Sequence, residues 1–260
     1  TATTDIYSLS LHDALPILTV NSGRHHLHGG AEGFDRRVWE AQSFARSDMA
    51  TVLFSRVSPD GEEGYPGELR ISVAYTLTDG GELSLAYEAE TTETTPVNPT
   101  NHTFWNLAGA GKGTIEDHEL RLDCPFYLPV DDELIPTGEI LSVRGTPMDF
   151  TRSRRIGGDI GRVKPDGYDH CYAVGAAETE LAPAAVLRDP ESGRTMEVLT
   201  TLPGVQFYSG NMLKAGRGAG GIDIRKRGAV CLETGFFPDS PNKPHFRSEE
   251  RRVGKECRSR

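Results

Sequence analysis

Residues 69–90 read LRISVAYTLTDGGELSLAYEAE, and this stretch carries the pattern that decides the fold. Apolar residues occupy every second position from Leu69 to Leu77, and the same alternation returns from Leu83 to Ala89. A two-residue period is typical of a strand that buries one face. The sequence Asp79-Gly80-Gly81 between the two runs is a turn signal. The stretch therefore predicts an antiparallel β-hairpin with one apolar face.

Shorter runs of the same kind continue along the chain. Turn residues separate nearly all of them, and no segment shows the sustained i, i+3, i+4, i+7 spacing of an amphipathic helix. Many short strands joined by polar turns are typical of a β-sandwich or a β-barrel. The sequence therefore predicts an all-β fold with helices that are short or absent. The further predicted strands cover residues 51–57, 119–122, 171–174, 184–187, 195–200, 205–208 and 229–233.

Length and charge limit the possible partners. A chain of 260 residues can form one large β domain, and its formal net charge is −10. An acidic protein repels nucleic acid phosphates and anionic lipids, so neither is an expected partner. Since no apolar run reaches the length of a membrane span, we expect no membrane association.

The cysteines indicate the redox environment. Cys124, Cys171, Cys231 and Cys257 are widely spaced, and no two of them form a CxxC pair. This spacing matches neither a disulfide framework nor a zinc motif. It favours reduced thiols and a cytoplasmic location.

A histidine cluster at residues 25–28 is the first candidate site. Closely spaced histidines can bind a metal ion, but strand or loop spacing directs His26 and His28 to one side and His25 to the other. No HExxH motif or carboxylate-rich motif accompanies them. The sequence therefore disfavours a metal site here.

Two other segments place polar groups where sugar chemistry could use them. Residues 98–107 read NPTNHTFWNL, a mixture of amides, an imidazole and aromatic rings that suits a carbohydrate site. In residues 230–233, Cys231 and Glu233 should share one face of a strand. A buried carboxylate is either paired or has a raised pKa that serves catalysis. Taken alone, His102 fits a structural role and Glu233 fits a salt bridge.

Many short strings occur in a fixed order and together resemble one enzyme family. They are HLHGG at 26–30, GFD at 33–35, VWE at 38–40, DGEEGYPG at 60–67, TNHT at 100–103, NL at 106–107, YLPVDD at 127–132, IPTG at 135–138, GYDH at 167–170, PGVQFY at 203–208, LET at 232–234 and FPDSPN at 237–242. The chain resembles the aldose 1-epimerase family from about residue 20 to residue 246.

This resemblance implies a large β-sandwich of the galactose mutarotase type with an open sugar groove. It implies interconversion of the α and β anomers of free hexoses such as glucose and galactose, by a monomer or homodimer without metal or cofactor. Glu233 would be the general base and His102 the general acid. The resemblance also implies that His28, Asp169 and Gln206 bind the monosaccharide.

The two ends of the chain do not resemble the family. We expect an epimerase-like domain over residues 17–247, flanked by unmatched and possibly non-native tails at 1–16 and 248–260. The family has N-terminal strands that include an arginine near the sugar ring oxygen, and we expect these strands to be missing. Strands lost at both ends would expose unpaired edges and apolar faces. We therefore expect the chain as written to be inactive and poorly soluble.

Two alternative functions remain open. A hexose-6-phosphate 1-epimerase would need a basic cluster, and Arg152, Arg154 and Arg155 form a candidate run outside the tails. A loop run of this kind is more often solvated. A non-catalytic sugar-binding β-sandwich would lack the catalytic pair, whereas this chain keeps Glu233 and His102.

Overall fold

The computed structural model describes residues 18–175 and 180–246, together with the backbone of short strands at 250–251 and 257–259. The predicted tail at 1–16 lies outside the described residues. Contacts divide the chain into two compact units, of which the first comprises residues 1–100 and 239–260 and the second comprises residues 101–238. The prediction of one domain over residues 17–247 is not tested by this division and stays a prediction.

The described residues form eighteen strands and six 3-10 helices of three residues each. The strands are β1 Glu40–Ala45, β2 Met49–Ser58, β3 Leu69–Thr78, β4 Leu83–Thr91, β5 Thr95–Pro96, β6 Glu119–Leu122, β7 Phe126–Tyr127, β8 Leu141–Ser142, β9 Arg154–Arg155, β10 Asp169–Ala173, β11 Ala182–Arg188, β12 Thr195–Thr200, β13 Gly204–Tyr208, β14 Gly216–Arg217, β15 Asp223–Ile224, β16 Cys231–Gly235, β17 Glu250–Arg251 and β18 Cys257–Ser259. The 3-10 helices are Phe34–Arg36, Glu62–Gly64, Ile156–Gly158, Ile160–Arg162, Ala219–Gly221 and Ser240–Asn242. None of these helices is long or apolar enough to span a membrane.

The first unit is built on the predicted hairpin. Strands β3 and β4 pair antiparallel from Leu69↔Thr91 to Leu77↔Leu83, inside a five-stranded sheet of order β1-β2-β3-β4-β18. Ile71 and Val73 are buried, and Ile71 forms a small core with Ala89 and Val97. The apolar face is therefore buried at one end only, because Leu77 near the turn is 54% exposed.

The second unit is a sandwich of two antiparallel sheets. One sheet has the order β16-β13-β10-β7-β8 and the other has the order β12-β11-β6-β9. Side chains from both sheets enter one core, in which Leu120 and Leu187 of one sheet are buried together with Tyr172 and Phe207 of the other. The second unit therefore confirms the predicted all-β class and its sandwich form.

The other predicted strands are confirmed, and their observed bounds differ by at most a few residues. Strand β1 was not predicted, because all six of its residues are exposed and no alternating apolar pattern marks such a strand. The two-residue strands were not predicted either, because they are too short to show a period. The described backbone of β17 and β18 pairs with β5 and β4. The predicted tail at 248–260 thus contains two paired segments.

Candidate active site

Three adjacent strands of the second unit share a face that carries four polar side chains, and we call it the polar face. Strand β13 lies between β10 and β16, and their registers align the alternate residues into three rows. The first row is Asp169, Tyr208 and Cys231, the second is Cys171, Gln206 and Glu233, and the third is Ala173, Gly204 and Gly235. The intervening residues Tyr172, Phe207 and Leu232 belong to the core. Successive side chains of a strand point to opposite faces. Alternate residues of these strands therefore line the candidate site, and the residues between them enter the core.

The carboxylate of Glu233 lies beside the imidazole of His102. Glu233 is 2% exposed, and its Oε1 atom is 3.7 Å from Nε2 of His102. The imidazole stacks on the ring of Phe104 with centroids 4.8 Å apart. It also meets the ring of Tyr208 edge to face at 6.4 Å. A carboxylate and an imidazole at this distance can act on two neighbouring atoms of one substrate.

The loop that carries His102 is fixed by its own backbone and by buried polar groups. The amide N–H of Trp105 donates to the carbonyl of Val230 at 2.8 Å, and the return hydrogen bond is 2.9 Å. Nδ2 of Asn106 donates to the carbonyl of Gly228 at 2.9 Å. The amide N–H of Leu107 donates to Nε2 of His118 at 3.0 Å. These contacts hold the loop against the segment that leads into β16.

His118 can accept this hydrogen bond only while its Nε2 atom is unprotonated. Burial lowers its pKa below the usual 6.5, against the opposing charges of Asp189 and Asp117. The neutral ring is therefore favoured at neutral pH, and it keeps the acceptor that Leu107 needs.

Asp169 and Gln206 form a second polar pair on the same face. Nε2 of Gln206 donates to Oδ1 of Asp169 at 2.7 Å. Gln206 is 8% exposed, and its Oε1 atom is buried without a hydrogen-bond partner among the described residues. A buried acceptor of this kind costs free energy unless a ligand supplies a donor. A sugar hydroxyl could supply it.

Two aromatic residues that were not among the predicted site residues border the pair of His102 and Glu233. The Phe104 side chain is 46% exposed, so one face of its ring can pack against the C–H surface of a sugar. The hydroxyl of Tyr208 accepts a hydrogen bond from the Met212 amide at 2.8 Å. Burial raises the pKa of Tyr208, and the nearby Asp169, Cys231 and Glu233 add to this effect. Phe104 lies in the segment 98–107 that was predicted to suit a carbohydrate site, and alternation could have found Tyr208, because it follows Gln206 by two residues.

His102, Glu233 and Cys231 also form a group of potential metal ligands. Their ligand atoms all lie within 4.8 Å of one another. The expectation that the enzyme uses no metal is not tested by this arrangement and stays a prediction.

Comparison with known proteins gives the family. The family description "Aldose 1-epimerase" matches residues 8–260.

The chain belongs to the aldose 1-epimerase family.

Proteins named as galactose mutarotases and aldose epimerases resemble this chain in sequence and fold. A galactose mutarotase from Bos taurus is 46% identical over 230 residues, and an aldose 1-epimerase from Escherichia coli K12 is 36% identical over 233 residues. In both cases the match covers 88% of this chain and 66% of the relative, so the chain spans about two thirds of their length. The crystal structure of an aldose epimerase homologue from C. elegans has a TM-score of 0.86 at 26% identity, covering 99% of this chain and 78% of that one.

The aldose 1-epimerase signature HLHGG lies in the first unit. His26 has a structural role there, because Nδ1 bonds to the carbonyl of Thr19 at 2.7 Å and Nε2 to the hydroxyl of Tyr65 at 2.6 Å. His28 follows with φ 54°. The carboxylate of Glu63 accepts hydrogen bonds from the amides of Ala31 and Glu32, at 3.2 Å and 2.9 Å. Glu63 therefore shapes the loop that follows His28.

Glycine at position 30 is needed for this loop geometry. Gly30 has φ 102°, and a Cβ atom there would lie 2.2 Å from Oε2 of Glu63. The other four predicted site residues lie in the second unit, where the polar face brings them together. The substrate-binding role of His28 stays a prediction.

The arginine run of this aldose 1-epimerase family member is largely paired. The guanidinium of Arg154 forms a salt bridge with Asp159 and lies over the ring of Phe150, 4.2 Å from its centroid. Arg155 lies 3.4 Å from Asp117. These two arginines contact carboxylates of the protein, which reduces their capacity to bind a phosphate.

Proposed function

We propose that the chain is an aldose 1-epimerase that interconverts the α and β anomers of free hexoses, such as glucose and galactose. One observation carries the proposal, namely the 3.7 Å separation of Glu233 Oε1 and His102 Nε2 on the polar face. The relatives named galactose mutarotase and aldose 1-epimerase support it.

The reaction needs a base and an acid that act on neighbouring oxygens. To open the ring, Glu233 takes the proton from O1 while His102 gives a proton to O5. The C1–O5 bond breaks and O1 becomes a carbonyl oxygen. Both oxygens are bonded to C1, so the two catalytic groups must also be neighbours. After rotation about C1–C2 the same two groups close the ring with their roles reversed.

Each catalytic group is expected to contribute about 10²–10⁴-fold to the rate. The reaction transfers no group to a second substrate and changes no oxidation state overall, so the mechanism requires no cofactor. Glu233 is nearly inaccessible to water, at 2% exposure, so the carboxylate would meet the anomeric hydroxyl in a poorly solvated setting.

The remaining polar face would hold the sugar in place. The buried Oε1 of Gln206 would accept a hydroxyl proton, and Asp169 would accept a second one. The half-exposed ring of Phe104 would stack on the C–H face of the pyranose. A substrate-binding role for His28 is proposed from the family resemblance alone.

The test is a polarimetric mutarotation assay of α-glucose and α-galactose with Glu233→Gln in a version that carries a restored family-like N-terminus, because the chain as written is expected to be inactive. This isosteric change removes the proton acceptor, and we expect turnover to fall at least about 10²-fold while sugar still binds. The matched control is Glu197→Gln on the exposed side of β12, which should keep full activity. A normal rate for Glu233→Gln would refute the assignment of the base.

His102→Asn tests the acid separately. We expect kcat to fall more than KM changes, because the imidazole acts on the transition state. If only KM rose, His102 would be a binding residue and another acid would be required.

The two alternatives have less support. The pairing of Arg154 and Arg155 with carboxylates disfavours a phosphosugar, and the same assay with α-glucose 6-phosphate measures this directly. The adjacent acid and base disfavour a binding module without activity. A cytoplasmic location and a monomeric or homodimeric state remain predictions from the sequence.

A further inference from the structure

We propose that His102, Cys231 and Glu233 form a binding site for a zinc-class divalent cation, and that such a cation inhibits the enzyme. The inhibition rests on the proposed function, whereas cation binding does not. The site would be regulatory, because the proposed reaction proceeds by proton transfer and uses no metal.

The geometry is close to that of a zinc site. Zn²⁺ binds imidazole nitrogen and carboxylate oxygen at about 2.0–2.2 Å and thiolate sulfur at about 2.3 Å. Two ligand atoms of a tetrahedral ion are therefore about 3.3–3.8 Å apart. The His102–Glu233 separation of 3.7 Å already lies in this range, and all three ligand atoms lie within 4.8 Å. Small side-chain movements would close the remaining gap.

Strand geometry places the thiol at this position. Cys231 and Glu233 are two residues apart on β16, so they share the polar face, and Cys231 is not in a disulfide. In the row of Cys231, Tyr208 is the cross-strand neighbour. Tyr208 also packs against the His102 ring at 6.4 Å. The same contacts that hold the acid beside the base thus bring the thiol into the group.

The ligand types select the class of cation. An imidazole, a thiolate and a carboxylate suit Zn²⁺ or Co²⁺, whereas Mg²⁺ and Ca²⁺ prefer oxygen ligands alone. Three protein ligands leave the fourth tetrahedral position for water or a sugar hydroxyl. Binding would release the thiol proton to solvent, since a coordinating thiol is deprotonated.

Cation binding would remove both functional groups from the reaction. The lone pairs of Glu233 and His102 that exchange protons with the sugar would be committed to the metal. Cys231 has no part in the proposed proton transfer, so its replacement should separate cation sensitivity from activity.

The experiment compares the chelator-treated full chain with Cys231→Ala, Cys231→Ser and the control Cys171→Ser, which removes the neighbouring thiol on the same face. Co²⁺ is the spectroscopic probe, because a thiolate ligand gives a charge-transfer absorption in the near ultraviolet. We expect this absorption in the parent and in Cys171→Ser, and its loss in both Cys231 variants. Two variants are included because a failure of one to fold leaves the other informative.

Inhibition by Zn²⁺ is measured in parallel by polarimetry. Mutation of a group that only orients a metal ligand lowers metal affinity about 10–100-fold. Because Cys231 would be a ligand itself, its loss should raise the inhibitory Zn²⁺ concentration at least about tenfold. Mutarotation without Zn²⁺ should persist in Cys231→Ala. Equal Zn²⁺ sensitivity of the parent and both Cys231 variants, or a parent without thiolate absorption, would overturn the proposal. Thiolate absorption without mutarotation, in a version that carries a restored family-like N-terminus, would support the site and refute the proposed function.

Discussion

A buried histidine next to the site should make the second unit sensitive to acid. His170 lies on β10 between Asp169 and Cys171 and is only 6% exposed. Its ring meets Tyr127 edge to face at 6.0 Å, and its Nδ1 atom accepts the Asp169 amide at 3.2 Å. Burial lowers the pKa of His170 from 6.5 to about 4. The folded unit thus holds a neutral imidazole over a pH range in which the unfolded chain binds a proton.

The direction and size of the effect of His170 on the unfolding free energy follow from proton linkage. The contribution of His170 to stability is fully present above pH 6.5 and is lost as the pH falls toward 4, because only the unfolded state binds a proton in this interval. At about 1.36 kcal/mol per pH unit, the loss is about 3 kcal/mol. This is a large part of a typical unfolding free energy of about 5–15 kcal/mol.

The assay is urea unfolding at pH 7 and pH 4 in a Trp39→Phe background. The chain has two tryptophans, so Trp105 then reports on the second unit alone. His170→Phe keeps a ring beside Tyr127 and removes the titrating group. Between pH 7 and pH 4, we expect the unfolding free energy of the parent to fall by about 3 kcal/mol more than that of this variant. The control is His245→Phe, at an exposed position of the first unit. Equal losses in parent and His170→Phe would refute the reasoning.

Three further predictions concern the core, the catalytic loop and metal dependence. Phe207 is fully buried between Phe150 and Tyr168, so Phe207→Ala should lower the unfolding free energy by about 3–5 kcal/mol, and an unchanged urea midpoint would contradict this. His118→Ala removes the acceptor of the Leu107 amide and should reduce kcat with little change in KM, which steady-state polarimetry can measure; full activity would mean that the loop is held without it. EDTA should alter neither mutarotation nor the melting temperature, and a loss of activity that Zn²⁺ restores would show that the enzyme needs a metal.

Local patterns in the sequence predicted the strands but not their neighbours. The alternation at 69–90 was sufficient for the hairpin β3–β4 because the two strands and their turn are contiguous. The order β16-β13-β10 depends on contacts between distant segments, and no local period encodes it. Burial was also only partly predictable, since Ile71 is buried whereas Leu77 on the same strand is half exposed.

The candidate site was also predictable in its local features and not in its long-range contacts. Alternation correctly placed Cys231 and Glu233 on one face, which the structure confirms. The approach of His102 to Glu233 could not be derived from spacing, because it depends on the pairing of Trp105 with Val230. The family resemblance implied the roles of His102 and Glu233, but it did not predict the distance between their side chains.

The charge pattern of the arginine run did not predict the ion pairs that its members form. The sequence pattern predicted a solvated basic loop at Arg154 and Arg155, and no pattern indicated their partners Asp159 and Asp117. A charge count describes an average field, whereas a salt bridge depends on the folded position of one specific carboxylate.

The three rows on the polar face differ in how freely they could be redesigned for other sugars. The row of Ala173, Gly204 and Gly235 has little spare volume, because a methyl group at Gly204 would lie 2.9 Å from Sγ of Cys171 and 3.1 Å from Cδ1 of Phe237. We therefore expect few folded variants from substitutions at Gly204. Directed evolution of substrate range should instead begin at the half-exposed ring of Phe104, where a new side chain meets solvent and bound sugar before it meets the core.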